Sequence, residues 1–111
     1  MMTSNWQIVE QRLAVSQGAI EQFCKRWKIT EFALFGSVLR DDFRSDSDID
    51  VMIKLAPNHR WGLEWIDMKD ELQAMFQRKV DLISRESLER SPNLLRRRGI
   101  LESAEVIYVA G

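Results

Sequence analysis

The sequence is poor in the residues that build disulfides, zinc sites and Ser–His or Cys–His catalytic pairs. It contains one cysteine, Cys24, and one histidine, His59. A single cysteine cannot form an internal disulfide, and Cys24 lies among apolar residues, so we expect a small buried side chain in a reducing compartment. The histidine has no partner at a zinc-ligand spacing, and we interpret His59 as a solvated loop residue.

The chain also lacks a large net charge and a long hydrophobic run. Its 16 basic and 17 acidic residues give a formal net charge of −1. The protein therefore lacks the overall positive charge that favours binding to nucleic acid, and we do not expect nucleic acid as a partner. No stretch approaches the roughly 20 apolar residues of a membrane span, and Glu10 and Arg12 interrupt the first twenty residues. We therefore expect one cytoplasmic domain over residues 1–111, with a single core and a local functional site.

Hydrophobic spacing predicts an α/β (α+β) fold in which helices flank a small mixed β-sheet. Three- and four-residue steps predict helices over about 5–27, 64–79 and 92–104. Capping signals introduce two of them, the Ser4 to Gln7 capping-box spacing and Ser91-Pro92. Short apolar or alternating segments predict strands at 32–35, 48–55, 80–83 and 106–109. The strand–helix–strand order of residues 48–83 predicts a right-handed crossover that keeps both strands in one sheet.

Asp48 and Asp50 lie two residues apart on the second predicted strand. Their side chains therefore leave the same face, with about 6 to 7 Å between their Cα atoms. Oxygen ligands select hard cations, and Mg²⁺ binds through one or two carboxylates while phosphate oxygens and waters complete its shell. An isolated Asp-x-Asp pair is usually a solvated surface pair, so its surroundings decide whether it binds Mg²⁺.

Asp81 supplies part of those surroundings, because it interrupts the apolar run from Val80 to Ile83. Strand propensity and burial both disfavour a charge at such a position. If the third strand lies beside the second, Asp81 can join the other carboxylates around the cation and take a proton from an attacking hydroxyl. The alternative is an aspartate on an edge strand that faces water.

Gly36-Ser37 follows the first predicted strand and can open a short helix. Backbone N–H groups at such a turn point outward and bind phosphate, and glycine lets a triphosphate approach closely. The hydroxyl of Ser37 can add a hydrogen bond, and Arg40 can supply positive charge about one turn later. Gly-Ser alone is an ordinary turn in most proteins.

A calcium loop is a competing interpretation of the acidic segment, because Asp46, Asp48 and Asp50 occupy the first, third and fifth places of an EF-hand-like pattern. The sixth place requires glycine and holds Val51, while the twelfth requires glutamate and holds Pro57. The sequence therefore favours magnesium over calcium.

Together these motifs resemble a known family. Gly36-Ser37, ten intervening residues and Asp48-Ile49-Asp50 resemble the signature of the DNA polymerase β-like nucleotidyltransferase superfamily. Arg40 and the Ser47 to Asp50 run are similar to its small members, the minimal nucleotidyltransferases or MNT proteins. Asp81 falls where those proteins carry a third carboxylate. The segment 100–109 resembles their C-terminal end, so the likeness covers nearly the whole chain. Asp41-Asp42 departs from the pattern, since relatives often carry a glycine and fewer acids there.

The resemblance implies a polymerase β-like fold and a nucleotidyltransferase activity. In it, Asp48, Asp50 and Asp81 bind two Mg²⁺ ions and act in catalysis, while Gly36, Ser37 and Arg40 hold ATP. Relatives of this size are often antitoxins of HEPN-domain proteins, and some transfer AMP onto a tyrosine of that partner. Two alternatives stay open: a non-catalytic module that neutralises a HEPN partner by binding, and a transferase acting on a small molecule.

The length of the chain also favours a separate acceptor protein. Once the sheet, helices and triphosphate site are built, little chain remains for an acceptor pocket. The loop at 56–62 and the last predicted helix can instead form the rim of a protein interface. Within that helix, Arg96-Arg97-Arg98 is either a solvated basic face or a contact for a nucleotide or an acidic partner.

Overall fold

The computed structural model describes residues 1–13, 15–41, 43–44, 46–56 and 64–110. Four strands form one sheet within these ranges: β1 (Ile29–Phe35), β2 (Ile49–Leu55), β3 (Val80–Ser84) and β4 (Glu105–Val109). Their order is β3-β2-β1-β4. β1 runs antiparallel to β2 and β4, whereas β2 and β3 are parallel. The predicted mixed sheet is confirmed, and the second and third strands lie side by side in it as predicted.

Helices and a 3₁₀ turn precede, connect and separate the strands in the described ranges. The α-helices of the described ranges are α1 (Trp6–Arg12), α2 (Gln17–Arg26), α3 (Glu64–Phe76), α4 (Arg85–Glu89) and α5 (Leu94–Ser103). A 3₁₀ turn over Gly36–Leu39 follows β1 directly. The predicted loop at 56–62 falls, after Ala56, outside the described residues. In the described part of the chain, no helix is long and apolar enough to cross a membrane.

The single helix predicted over 5–27 is wrong, because two helices occupy that range. Leu13 ends α1 in an extended conformation, and Ser16 begins α2 by accepting a hydrogen bond from the Ala19 N–H at 3.1 Å. The capping box at Ser4 is also wrong, since Asn5 precedes α1 and makes no side-chain cap. The Asn5 side chain instead donates to the Val106 carbonyl at 3.0 Å, which ties the helix start to β4.

The last helix begins later than its Ser91-Pro92 signal predicted. Asn93 caps α5 by accepting a hydrogen bond from the Arg96 N–H at 3.0 Å. The Ser91 hydroxyl accepts from the Asn93 N–H at 3.3 Å, so Ser91 shapes the turn before the helix instead of capping it. The short helix α4 was not predicted, because five residues are too few to show a helical period.

The two faces of the sheet have different coverings. One face carries Phe32, Leu34, Val51 and Ile53, which pack in a buried cluster with residues of α1, α2 and α3. The other face carries a smaller cluster formed by Ala33, Phe35, Met52 and Leu88, with partly buried residues of α5 beside it. Because side chains alternate along a strand, Asp50 lies on the same face as Met52, and Asp81 on the same face as Ile83. Both aspartates therefore belong to the less covered face.

Cys24 lies on α2 inside the larger cluster and has no exposed surface. Burial raises the pKa of its thiol to about 12. We expect the folded protein to resist alkylation by iodoacetamide at pH 8, where the unfolded chain reacts rapidly, because only the thiolate is nucleophilic. Mass spectrometry of samples labelled across a urea titration measures this, and labelling should follow the unfolding transition. Full labelling of the native protein would contradict the burial of Cys24.

Candidate active site

Asp50 and Asp81 are brought side by side by the parallel pairing of β2 and β3. They are register partners in that pairing, so both side chains leave the same face of the sheet. The strand entry is held by a hydrogen bond from the Ile49 N–H to the Lys79 carbonyl at 2.9 Å. Asp48 is exposed and immediately precedes the first residue of β2. The structure thus gathers the three predicted carboxylates at one end of two neighbouring strands.

The expectation that burial would disfavour a charge at Asp81 is wrong. β3 is an edge strand of the sheet, and the Asp81 side chain is exposed. Asp81 therefore faces water, as the edge-strand alternative predicted. It also lies beside Asp50, as a shared metal site requires. An alternating strand with one wet face accommodates such a residue without a desolvation cost.

The pKa of Asp50 reflects how close the other two carboxylates lie to it. Its pKa is raised above the ordinary carboxyl value, first by partial burial, then by the charge of Asp81 and then by that of Asp48. The positive charge of Arg40 acts in the opposite direction. Three carboxylates that repel one another are what a bound divalent cation would neutralise.

The arrangement fits Mg²⁺ held jointly by protein and nucleotide. Within the described ranges, no three histidine, cysteine or acidic side chains already converge as a metal cage. Mg²⁺ does not require one, because it commonly takes one or two carboxylates and completes its octahedral shell with water and phosphate oxygens. The oxygen-only donor set of Asp48, Asp50 and Asp81 matches that preference.

Gly36 lies directly against the Asp50 carboxylate. A Cβ atom at this position would stand 2.1 Å from Oδ2 of Asp50 and 3.1 Å from its Cγ, which no side chain tolerates. The backbone φ of Gly36 is also +76°, in the left-handed region that favours glycine. The sequence predicted that glycine would admit a triphosphate, and the structure adds that it makes room for Asp50.

The 3₁₀ turn after Gly36 is linked to the start of β2. The Ser37 hydroxyl donates to the Asp48 carbonyl at 3.4 Å, and the Arg40 N–H donates to the Ser37 carbonyl at 2.9 Å. Val38 is fully buried and anchors the turn in the core. The turn therefore presents Ser37 and the exposed Arg40 beside the carboxylates, where both were predicted to contact phosphate.

Arg12 is a further residue that organises this turn. From the last turn of α1, its Nη1 atom donates to the Val38 carbonyl at 2.7 Å and also to the Arg40 carbonyl. Its Nη2 atom lies 3.6 Å from the exposed carboxylate of Asp41, which partly offsets that acidic charge beside the turn. No spacing in the sequence pairs Arg12 with residues 38–41, so this role appears only in the folded chain.

Arg78 holds the segment that leads into Asp48. Its Nη1 atom donates to the Arg44 carbonyl at 2.7 Å and to the Ser47 carbonyl at 3.2 Å. The guanidinium also lies 4.4 Å from the ring centre of Phe43, in a cation–π arrangement. Arg78, which lies just before β3, therefore keeps the acidic loop in position ahead of Asp48.

A cleft opens beside the glycine turn. Phe35, Gly36, Leu39 and Arg40 line one side, and Gly99, Ile100, Ser103 and Glu105 line the other. Its volume of about 470 Å³ falls in the range of about 300 to 1,000 Å³ that small-molecule sites occupy. Because Gly36 touches the Asp50 carboxylate and also lines this cleft, the cleft opens directly beside the carboxylates.

Comparison with known proteins identifies the family of the chain. Residues 17–107 match the model of the nucleotidyltransferase domain, and the chain belongs to that family. It is 29% identical to the protein adenylyltransferase MntA of Thermococcus cleftensis, over 77% of this chain and 79% of that protein. It is 33% identical to a candidate protein adenylyltransferase, MJ1379 of Methanocaldococcus jannaschii, over 57% of this chain and 64% of the relative. The chain thus spans less than two thirds of that second relative.

Solved structures share the fold. A structure of a candidate minimal nucleotidyltransferase is 28% identical, with a TM-score of 0.62 over 79% of this chain and 85% of that one. A toxin–antitoxin complex with AMP-PNP superposes with a TM-score of 0.66 at 17% identity, over 86% and 75% of the two chains. A complex of the tri-AMPylated Shewanella oneidensis HEPN toxin with its MNT antitoxin superposes with a TM-score of 0.56 at 18% identity, over 84% and 69%. At such identities the last two comparisons establish the fold alone. The resemblance to minimal nucleotidyltransferases is confirmed.

We expect Asp50→Asn to abolish Mg²⁺-dependent nucleotide transfer without unfolding the protein. Because the folded state raises the Asp50 pKa, ionisation costs folding free energy as pH rises through that pKa, and an amide avoids this cost. Metal-free Asp50→Asn should therefore melt no lower than the wild type at pH 7. Mg²⁺ should raise the melting temperature of the wild type and not that of the variant.

Circular dichroism melts with and without MgCl₂, together with a transfer assay, measure both effects. Asp46→Asn is the matched control, since Asp46 is an exposed carboxylate in the loop before the site. It should keep both the transfer activity and the response to Mg²⁺. Unchanged turnover in Asp50→Asn would remove Asp50 from the metal site.

We expect Gly36→Ala to destabilise the protein and to impair transfer. The added methyl group would meet the Asp50 carboxylate, and the positive φ adds a backbone penalty, together about 1 to 3 kcal/mol. Urea unfolding measures the loss of stability. Gly18→Ala is the control, because nothing lies within 4 Å of a Cβ there and Gly18 is in α2, where alanine should stabilise by about 0.5 to 1 kcal/mol. Equal stability of Gly36→Ala and wild type would show that the turn accepts a side chain.

Proposed function

We propose that this chain is a Mg²⁺-dependent protein adenylyltransferase that moves AMP from ATP onto a hydroxyl group of a HEPN-domain protein, as the antitoxin of that protein. The observation that carries the proposal is the register pairing of Asp50 with Asp81 beside a glycine turn, in a chain of the nucleotidyltransferase family. The names of the relatives supply the substrate class. Thermococcus MntA is called a protein adenylyltransferase, and an MNT antitoxin is bound to an AMPylated HEPN toxin.

The proposed reaction is a single displacement at the α-phosphorus of ATP. The acceptor oxygen forms a bond to that phosphorus, the bond to the bridging oxygen between the α- and β-phosphates breaks, and pyrophosphate leaves. The proton of the acceptor hydroxyl passes to Asp81, which is exposed and therefore accessible to an incoming hydroxyl. Bound Mg²⁺, two ions in this proposal, would neutralise the developing charge on the phosphate oxygens.

The remaining residues position the nucleotide. Asp48 and Asp50 hold the metal, and the charge of Arg40 binds the triphosphate beyond the α-phosphate. The Ser37 hydroxyl has one donor, so it turns from the Asp48 carbonyl, which it reaches at 3.4 Å, to a phosphate oxygen. Arg12 and Arg78 act indirectly, because their hydrogen bonds hold the 3₁₀ turn and the acidic loop in place. Catalysis in this reaction class depends mainly on such positioning and on charge stabilisation.

The described residues support an acceptor that belongs to another molecule. The cleft between the 3₁₀ turn and α5 has room for a nucleotide, and Asp81 faces solvent at the open edge of the sheet. A hydroxyl group presented from outside can therefore reach the site along the β3 edge. An isolated chain should bind ATP yet turn over slowly, since it lacks the proximity that a docked acceptor supplies.

The test combines the purified chain, ATP, MgCl₂ and a purified HEPN-domain protein encoded beside its gene. We expect intact-mass spectrometry to show one or more AMP groups on the HEPN protein, and none when Asp50→Asn replaces the wild type or EDTA is present. Complex formation without a mass change would favour the non-catalytic module. Rapid modification of a small-molecule acceptor by the chain alone would favour the small-molecule transferase.

A further inference from the structure

The first half of α5 exposes an apolar surface. Leu94 is 62% exposed and Leu95 is 86% exposed, and no residue of this ten-residue helix is buried. Helices in proteins gain most of their stability by burying an apolar face. In α5, part of the apolar surface that could be buried against a neighbour is exposed instead. Two adjacent leucines in water are the kind of patch that marks an interaction site.

Both halves of α5 are attached to the fold. Ile100 and Leu101 are partly buried against the cluster of Ala33, Phe35, Met52 and Leu88. In the first half, the Arg97 guanidinium donates to the Glu89 carbonyl of α4 at 2.9 Å, while Leu94 and Leu95 face outward. A groove along the helix is lined by Leu94, Arg97, Arg98, Leu101 and Glu102. The aliphatic stems of the arginines extend its apolar surface.

The same turns are basic. Arg96, Arg97 and Arg98 are consecutive, and Arg96 and Arg98 are exposed. Arg98 lies 2.8 Å from Glu102 in an exposed ion pair, which contributes little to stability and can be exchanged for a partner's carboxylate. The partner surface that would complement these turns has an apolar centre flanked by acidic residues. Protein interfaces commonly combine an apolar core with a polar or charged rim in this way.

This surface is continuous with the active-site cleft. Gly99, Ile100 and Ser103 of α5 line the cleft opposite Gly36 and Arg40. Leu95 precedes Gly99 by four residues, or about 6 Å along the helix axis. A protein seated on Leu94 and Leu95 would therefore lie about one helical turn from the nucleotide.

We propose that Leu94, Leu95, Arg96 and Arg98, the α5 docking face, bind the protein that supplies the acceptor hydroxyl, through an apolar patch of that protein flanked by carboxylates. The inference rests on the proposed function, because it identifies where the acceptor protein binds. The exposed leucines favour a protein over a nucleic acid, since a phosphate backbone would pair with the arginines and leave the leucines in water. A partner bound to this part of α5 lies beside the cleft. It does not contact α1, α2 and α3, which pack on the opposite face of the sheet.

The test compares Leu95→Glu with Ile66→Glu. Ile66 is 58% exposed on α3, which packs on the other face of the sheet, so it is a matched apolar-to-acid change away from the docking face. Calorimetry with the purified HEPN-domain protein should show at least about tenfold weaker binding for Leu95→Glu and unchanged binding for Ile66→Glu. Leu94→Ala combined with Leu95→Ala should weaken binding without adding charge. Both glutamate variants should bind Mg²⁺ and ATP like the wild type.

The outcomes separate this inference from the proposed function. Wild-type affinity in Leu95→Glu, with AMP transfer intact, would overturn the docking face and leave the adenylyltransferase standing. Binding that is sensitive to Leu95→Glu, with no AMP transferred by the wild type, would support the docking face and reject the adenylyltransferase. Absence of any wild-type complex would overturn both. Equal loss of affinity in Ile66→Glu would also overturn the docking face, because the effect would then not depend on location.

Discussion

The Asp50 carboxylate lies in a space that Gly36 leaves open, with Asp81 beside it on the neighbouring strand, and the rest of the site is arranged around that placement. Ionising a partly buried carboxylate next to another acid is unfavourable, as the raised pKa of Asp50 indicates. Strong local structure is needed to keep it there. The parallel pairing of β2 with β3 provides that structure, since strand register cannot shift by one residue without turning every side chain to the other face.

The irregular segments around the carboxylates are held by arginines that bind backbone carbonyl groups. Arg12 reaches the end of the 3₁₀ turn from α1, and Arg78 reaches the acidic loop from the approach to β3. Loops cannot satisfy their own carbonyls as helices and strands do, so long side chains with several donors are suited to this task. The result is that two segments of the connection between β1 and β2 keep a fixed position relative to Asp50, because arginines from distant parts of the chain hold them.

The two faces of the sheet differ: one is covered by most of the hydrophobic core, and the other carries the candidate active site. α1, α2 and α3 cover one face with the larger core cluster, whereas α4 and α5 cover only part of the other. The aspartates, the cleft and the exposed turns of α5 all lie on that second side. An enzyme acting on a protein needs such an open side, because the acceptor must approach the nucleotide without unfolding the domain. The small number of residues that cover this face is therefore consistent with a partner completing the site.

The sequence by itself determined the strands, the mixed sheet and the positions of Asp48, Asp50, Gly36 and Ser37, because strand alternation and turn chemistry are local properties of neighbouring residues. It also indicated Asp81 through a charge in an apolar run, although the expected burial of that charge was wrong. Only the tertiary structure decided that the first predicted helix divides before Ser16, that Asn93 and not Ser91 caps α5, and that Arg12 and Arg78 hold the loops. The Ser16 and Asn93 caps are local contacts with residues three positions later, and the fold selected them over the Ser4 and Ser91 signals. The roles of Arg12 and Arg78 depend on carbonyl partners that lie far away in the chain, so no spacing along the sequence could reveal them.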